Sequence, residues 1–195
     1  MRRIILLAAL LAAAYVPQAA RAQFARGGYL MAGQGAGGNG LVDARFAVDM
    51  AYTIEAGGHD GPYVGGRGTL GIHWLRADQE AFRARYGGEA EGGGGTLYDT
   101  GGDVEVGYGV GVLRVYGFTG IHYYQQFQDP ATVRGGGEEV EVTTRRRETI
   151  ANGSGAGVYL RLADTGGFVG EWYRGGGQDG VMRLSGTRFG LRWAW

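Results

Sequence analysis

The last fifteen residues, Val181 to Trp195, constrain the fold of this chain more than any other stretch. Read alternately, Phe189, Leu191, Trp193 and Trp195 fall on one face, and Gly186, Arg188, Gly190, Arg192 and Ala194 on the other. Side chains in a strand alternate faces with period two, so one face is bulky and apolar while the other is small or cationic. A water-soluble sandwich would turn the apolar face into a core. Here the aromatics crowd the very last positions, and no polar residue follows Trp195. The pattern predicts a strand whose apolar side meets lipid and whose final aromatics sit at the membrane–water boundary.

This stretch resembles the closing strand of bacterial outer-membrane β-barrels, which usually ends in an aromatic residue with apolar residues at every second position before it. The family's terminal residue is most often Phe; Trp195 departs from that and keeps the aromatic character. After Val16 no hydrophobic run reaches helical transmembrane length. A membrane-embedded mature chain must then be a closed barrel, because only helices and barrels satisfy every backbone group in lipid.

The N-terminus reads as a cleaved secretory signal. Arg2 and Arg3 precede an apolar run from Ile4 to Val16, and Ala20-Arg21-Ala22 supplies the small residues of a cleavage site before Gln23. The run is shorter than the ~20 residues a helical span needs. Residues 1–22 are thus expected to be the signal peptide and 23–195 a single barrel domain. Removal of the signal takes three Arg and no acid, leaving 16 Arg against 19 Asp and Glu. A net charge near −3 gives no reason to expect nucleic acid as a partner. Lys and Cys are both absent. Glycine, at 42 residues, would suggest low complexity, but it interleaves with apolar residues at period two, as from Val104 to Val112. That is the pattern of a narrow barrel, whose inward positions leave little room for side chains.

Eight strands follow from the alternation. A short first strand covers Gly28 to Gln34. The second sets Phe46, Val48, Met50, Tyr52 and Ile54 against Arg45, Ala47, Asp49, Ala51, Thr53 and Glu55. The third runs from Pro62 to Trp74. A polar stretch from Arg76 to Gly102 follows, with a possible short helix at Asp78 to Tyr86 and a mobile loop at Gly92 to Gly95. The fourth strand covers Asp103 to Val112, and a turn near Leu113-Arg114 leads to the fifth, Val115 to Phe127. In the fifth both alternate sets carry aromatics; Ile121 and Tyr123 are placed outward, His122 and Gln126 inward. After a long loop, Gln128 to Thr149, come the sixth strand (Ile150 to Leu162), the seventh (Gly167 to Arg174) and the closing strand. With a periplasmic N-terminus, the even-numbered connections are short turns and the odd ones include both long loops, as in outer-membrane barrels. Trp74 and Trp172 fall at the outer strand ends, and Trp193 and Trp195 at the periplasmic ends, as aromatic girdles.

The inward positions assemble a charge network: Arg45, Arg67, Arg161, Arg188 and Arg192 facing Asp49, Glu55, Asp103, Glu105 and Glu171. Buried charge is tolerable only when paired, and an eight-stranded barrel is just wide enough for side chains to fill. The network therefore reads as a plug, with a narrow ion path or small-ligand pocket as the alternative. His73, His122, Asp103 and Glu105 form a candidate ligand or metal cluster in the outer half; the plainer expectation is that both imidazoles join the plug. Gly33 to Gly38 formally matches a dinucleotide fingerprint, but a strand follows where that motif needs a helix. No cofactor is expected. The alternation Glu139-Val140-Glu141-Val142-Thr143 suggests an extension of the sixth strand with an edge open to a partner, against the plainer reading of a solvated charged loop.

As a whole the mature sequence resembles the small eight-stranded outer-membrane proteins of the OmpA/OmpX and opacity-protein type. The resemblance implies an all-β, up-and-down antiparallel transmembrane barrel in the bacterial outer membrane, with a structural or surface-interaction role. Its implied partners are outer-membrane lipid, the barrel-assembly machinery through the C-terminal strand, and an extracellular partner through the loops. Some barrels of this size are lipid A acyltransferases or deacylases that use Ser and His. Ser154 and Ser185 are the only serines, and neither sits in a His-x-Ser pair, so a non-enzymatic role is expected. A soluble ligand-binding barrel would need polar outward faces, which Phe46 to Ile54 contradict.

Overall fold

The computed structural model describes residues 24–36, 41–57, 60–135, 138–142 and 145–194. The expected signal segment and Trp195 lie outside the described residues. In chain order the elements are β1 (Phe24–Ala36), β2 (Val42–Gly57), β3 (Gly61–Ala77), α1 (Gln79–Tyr86), β4 (Glu89–Gly92), β5 (Gly95–Val110), β6 (Leu113–Gln128), β7 (Ala131–Gly135), β8 (Glu138–Val142), β9 (Arg145–Ala163), β10 (Gly166–Gly176) and β11 (Arg183–Ala194).

Eight of these strands form a closed antiparallel barrel in the order β1-β2-β3-β5-β6-β9-β10-β11. It is an up-and-down meander. The ring closes between the first and last strands, with Gly28 opposite Trp193 and Leu30 opposite Leu191. A Cβ on Gly28 would fall 3.2 Å from the Trp193 indole, so glycine there lets the ring lie flat across the seam. No helix among the described residues is long and apolar enough to cross a membrane.

Period-two alternation divides the barrel wall into two chemistries. Leu30, Met50, Leu70, Val104, Ile121, Val158 and Phe189 point outward and are exposed, while Asp49, Arg67, Asp103, Glu171 and Arg188 point inward and are buried. Within β6, Ile121 and Tyr123 face outward and His122 and Gln126 inward. A membrane crossing takes about 9–11 strand residues, yet β2, β3, β5 and β6 have 16 or 17 and β9 has 19. The surplus lies at the end that carries the long connections, termed the loop end; the opposite end carries the short turns. At the loop end the polarity reverses. Val42, Leu75, Leu97, Met182 and Leu184 are buried inside the barrel mouth, while Arg76 lies on the outside.

That reversal explains why β5 starts at Gly95 and not at Asp103. The stretch Gly92 to Gly95 is a hydrogen-bonded corner, not the expected loop. Gly93 N donates to Pro130 O at 3.0 Å and Asp129 N to Gly94 O at 3.0 Å, with Gly92 and Gly93 in the left-handed region that glycine adopts without penalty. The helix forms where Asp78 caps it, accepting from the backbone N–H of Glu80 and Ala81, and it ends at left-handed Gly87. Its Phe82 packs with Leu41, Ala131, Val133 and Val142 in a small second core. There β4, β7 and β8 make a three-stranded sheet beyond the barrel wall. Glu138–Val142 therefore does not extend β9; it pairs with β7 as an outer strand of that sheet. Thr143 lies outside the described residues.

Candidate functional site

The barrel interior carries the chemistry. Its central layer is built on Glu171 of β10. Arg67 Nη1 donates to Glu171 Oε1 at 2.7 Å and Arg67 Nε to Asp103 Oδ2 at 2.8 Å. Arg188 reaches Glu171 Oε2 through Nε and Nη2, at 2.9 and 2.7 Å, and lies 3.1 Å from Asp49. The Tyr116 hydroxyl adds a third donor at 2.7 Å. The Arg67 guanidinium also sits 3.5 Å over the Phe118 ring centroid, a cation–π contact that covers its apolar face.

A second layer lies towards the turn end. Glu55 pairs with Arg114 at 2.8 Å and with Arg192. Glu105 accepts from Tyr29 and Tyr63 at 3.1 and 2.7 Å and lies 3.5 Å from Arg192. In the ring of eight, β3 and β10 stand on opposite walls, as do β5 and β11. The Arg67–Glu171 and Arg192–Glu105 bridges thus cross the full width of the lumen at two levels. The Arg67–Glu171 crossing is a short, directional charge-assisted hydrogen bond that fixes two walls relative to one another, while the Arg192–Glu105 crossing is a longer ion pair.

Glycines on β9 make room for this filling. A Cβ on Gly157 would lie 2.5 Å from Tyr116 Cζ, and one on Gly153 would lie 2.7 Å from the His122 ring. Gly157→Val is expected to push Tyr116 off Glu171 and cost about 1–3 kcal/mol of stability, as overpacking does. Urea unfolding in lipid vesicles measures it. The outward neighbour Ala156→Val should be close to neutral, and equal losses in the two variants would put the β9 facing in error.

The third layer, nearer the loop end, holds both imidazoles. His73 Nε2 lies 3.3 Å from Asp99 Oδ2, and His122 Nε2 lies 3.1 Å from Asp103 Oδ1. His122 stacks on Tyr124 with ring centroids 5.8 Å apart. Above them Met182, Leu184, Leu97 and Tyr124 close the mouth, and Gln126 Oε1 accepts from Met182 N at 3.0 Å.

Eight of the ten residues expected in the charge network are brought together: Asp49, Glu55, Arg67, Asp103, Glu105, Glu171, Arg188 and Arg192. Two are not. Arg45 is the extra residue of a β-bulge between Ala44 and Phe46 and is exposed, since a bulge puts two consecutive residues on the same side. Arg161 sits at the turn-end mouth, where β9 and β10 slip register, and lies 3.9 Å from the exposed Asp164. The expected cluster of His73, His122, Asp103 and Glu105 is also divided. Glu105 belongs to the turn-end layer, and its place beside the histidines is taken by Asp99. Sequence reasoning missed Asp99, in the part of β5 read as a polar loop, and Arg114, read as a turn residue although β6 begins at Leu113. Trp74, Trp172 and Trp193 are all exposed on the outer wall, the Trp74 ring tilted against Phe46 with centroids 5.7 Å apart. Ser154 accepts from exposed Arg174 at 3.3 Å, on the wall face opposite to the buried His73 and His122.

No protein-family model matches the chain, and no curated protein matches it in sequence. The solved structures do match. Neisserial surface protein A (NspA) superposes with a TM-score of 0.52 over 88% of this chain and 96% of its own, at 12% identity. The N-terminal β-barrel domain of Pseudomonas aeruginosa OprF gives 0.47 at 13% identity, covering 89% and 99%. Ail, the attachment invasion locus protein of Yersinia pestis, gives 0.45 at 10% identity, covering 87% and 98%. At these identities the likeness is one of fold: a small, closed, eight-stranded barrel.

Proposed function

We propose that this protein is an integral outer-membrane barrel with a closed, non-conducting lumen and a non-enzymatic, structural or surface-interaction role. The observation that carries the reading is the inverted burial pattern. Among the described residues six carboxylates and four guanidinium groups are buried inside, while Val104, Val106, Ile121, Ile150, Leu162 and Phe189 lie exposed on the outside. Water does not tolerate an apolar belt of that extent on a monomer; lipid does. Exposed Trp74 towards the loop end and Trp193 towards the turn end fit the two interfacial girdles.

Outer-membrane lipid is then the first partner, and the closing strand β11 is the natural handle for an assembly machinery. The β4-β7-β8 sheet with α1 stands clear of the wall at the loop end. It carries Arg83, Glu89, Glu91 and Arg134 as exposed, mutually paired charges and is the surface available to an extracellular partner.

Two measurements test the reading. Folded protein should fractionate with outer membranes and migrate in gels as a heat-modifiable band, since closed barrels resist detergent until heated; recovery as a soluble periplasmic protein would defeat it. In planar bilayers the wild type should give no stable conductance steps, because the guanidinium groups of Arg67 and Arg192 bridge opposite walls. Steady unitary pores would refute the closed lumen.

A further inference from the structure

The charges inside the barrel do not balance where the histidines are. At the turn end Glu55 and Glu105 are matched by Arg114 and Arg192. Among the described residues of the centre and loop-end layers, four buried carboxylates, Asp49, Asp99, Asp103 and Glu171, face two buried guanidinium groups, Arg67 and Arg188. Two negative charges are left over. Uncompensated buried charge is too costly to keep. The surplus lies beside His73 and His122.

The same place holds polar atoms without hydrogen-bond partners. Asp49, at 1% exposure, leaves Oδ2 unbonded, and His73, at 0%, leaves Nδ1 unbonded. Asp99 Oδ1 and His122 Nδ1 are in the same condition. One potential ligand atom from each of Asp49, His73 and Asp99 lies within 4.8 Å of the other two. These residues come from three adjacent strands, β2, β3 and β5. The gap between the two carboxylates is kept open by Gly71, where a Cβ would fall 2.9 Å from Asp99 Oδ1 and closer still to Asp49 Oδ1. His122 Nδ1 lies 4.0 Å from Asp99 Oδ1, while its Nε2 is engaged by Asp103 at 3.1 Å. A carboxylate on one imidazole nitrogen fixes the ring and leaves the other nitrogen's lone pair for a metal.

We propose that Asp49, His73 and Asp99 form a binding site for one divalent transition-metal cation of the zinc type, with His122 held beside Asp99 by its contact with Asp103. Mixed imidazole and carboxylate donors suit such a cation better than magnesium or calcium, which take oxygen ligands. One divalent charge cancels the two surplus negatives, and the ion gives partners to the orphaned atoms. The role is structural: the metal ties three strands together just below the apolar cap of the mouth. The site extends beyond the closed-barrel role, and its readout does not depend on conductance.

The test uses tag-free full-length protein refolded in detergent with zinc or with chelator, then washed into metal-free buffer. Elemental analysis should find about one zinc per folded chain in wild type, as a preformed enclosed site implies. Retention should be lost in His73→Gln and Asp99→Asn. It should be kept in His59→Gln, which removes the remaining histidine, outside the described residues. Cobalt in place of zinc should give visible absorption in wild type and His59→Gln, and none in His73→Gln or Asp99→Asn. Wild type refolded with zinc should also unfold at a higher urea concentration than wild type refolded with chelator, and this comparison needs no variant to fold. The heat-modifiable band confirms that each variant is folded. Zinc content no higher in wild type than in His73→Gln would overturn the proposal. So would equal urea midpoints with and without zinc.

Discussion

Glu171→Ala should lower the unfolding free energy of the barrel in lipid vesicles by about 3–5 kcal/mol, the range for removing one partner of a buried ion pair. The carboxylate accepts from Arg67, Arg188 and Tyr116, each within 2.9 Å. Its removal leaves Arg67 with Asp103 alone and Arg188 with Asp49 alone, both inside the wall. Glu171→Gln keeps the shape and should cost less, because the amide oxygen still accepts. The comparison separates charge from packing. A loss under about 1 kcal/mol for the alanine variant, as a solvent-screened pair gives, would mean that water fills the lumen and that the cross-wall bridges are not structural.

Met50→Arg should be the costliest substitution on the outer wall, at about 2–4 kcal/mol, the range for a cation near the bilayer midplane. Met50 lies midway along β2, beside Leu30 on β1 and Leu70 on β3, all exposed outward. Its neighbour Ala51 faces inward and packs against the buried cluster. Ala51→Arg should therefore crowd the lumen without opposing insertion into lipid. Vesicle insertion and urea unfolding, measured on both variants, distinguish the two penalties. A neutral Met50→Arg would remove the main support for a lipid-facing belt.

The alternation in β2, β5 and β11 made the barrel legible from sequence, because over the apolar outer belt the inner and outer positions differ in both size and charge. It failed where that contrast fails. Above the belt Leu97 turns inward and Thr96 and Tyr98 outward, so Gly95 to Gly102 reads as loop although it is strand, and Asp99 drops out of the candidate set. The bulge at Ala44 to Phe46 shifts the phase by one residue without any mark in the residue types, which moved Arg45 to the wrong side. Arg161 has the correct phase, but distance along the strand decides whether an inward residue reaches the core or only the mouth, and alternation carries no depth. The β4-β7-β8 sheet joins three short segments through Phe82 of α1, a long-range packing that local periodicity does not encode.

The bridges across the lumen also bear on how the barrel assembles. Arg67 and Glu171 are 104 residues apart in the chain, and Tyr29 and Glu105 are 76 apart. The first pair cannot meet until strands from both halves have curled into a ring, and the second needs the first four barrel strands to curl. Before closure the inward charges line an open, trough-shaped sheet in which Arg67–Asp103 and Arg188–Glu171 already join neighbouring strands, and the bridge from Arg67 to Glu171 forms as the β1–β11 seam shuts. Contacts of such long sequence separation slow folding, because the loop-closure entropy is lost before the contacts form. Seam closure should thus be the rate-limiting and committing step: before it the chain can slip register at little cost, and after it every wall is tied to the one opposite.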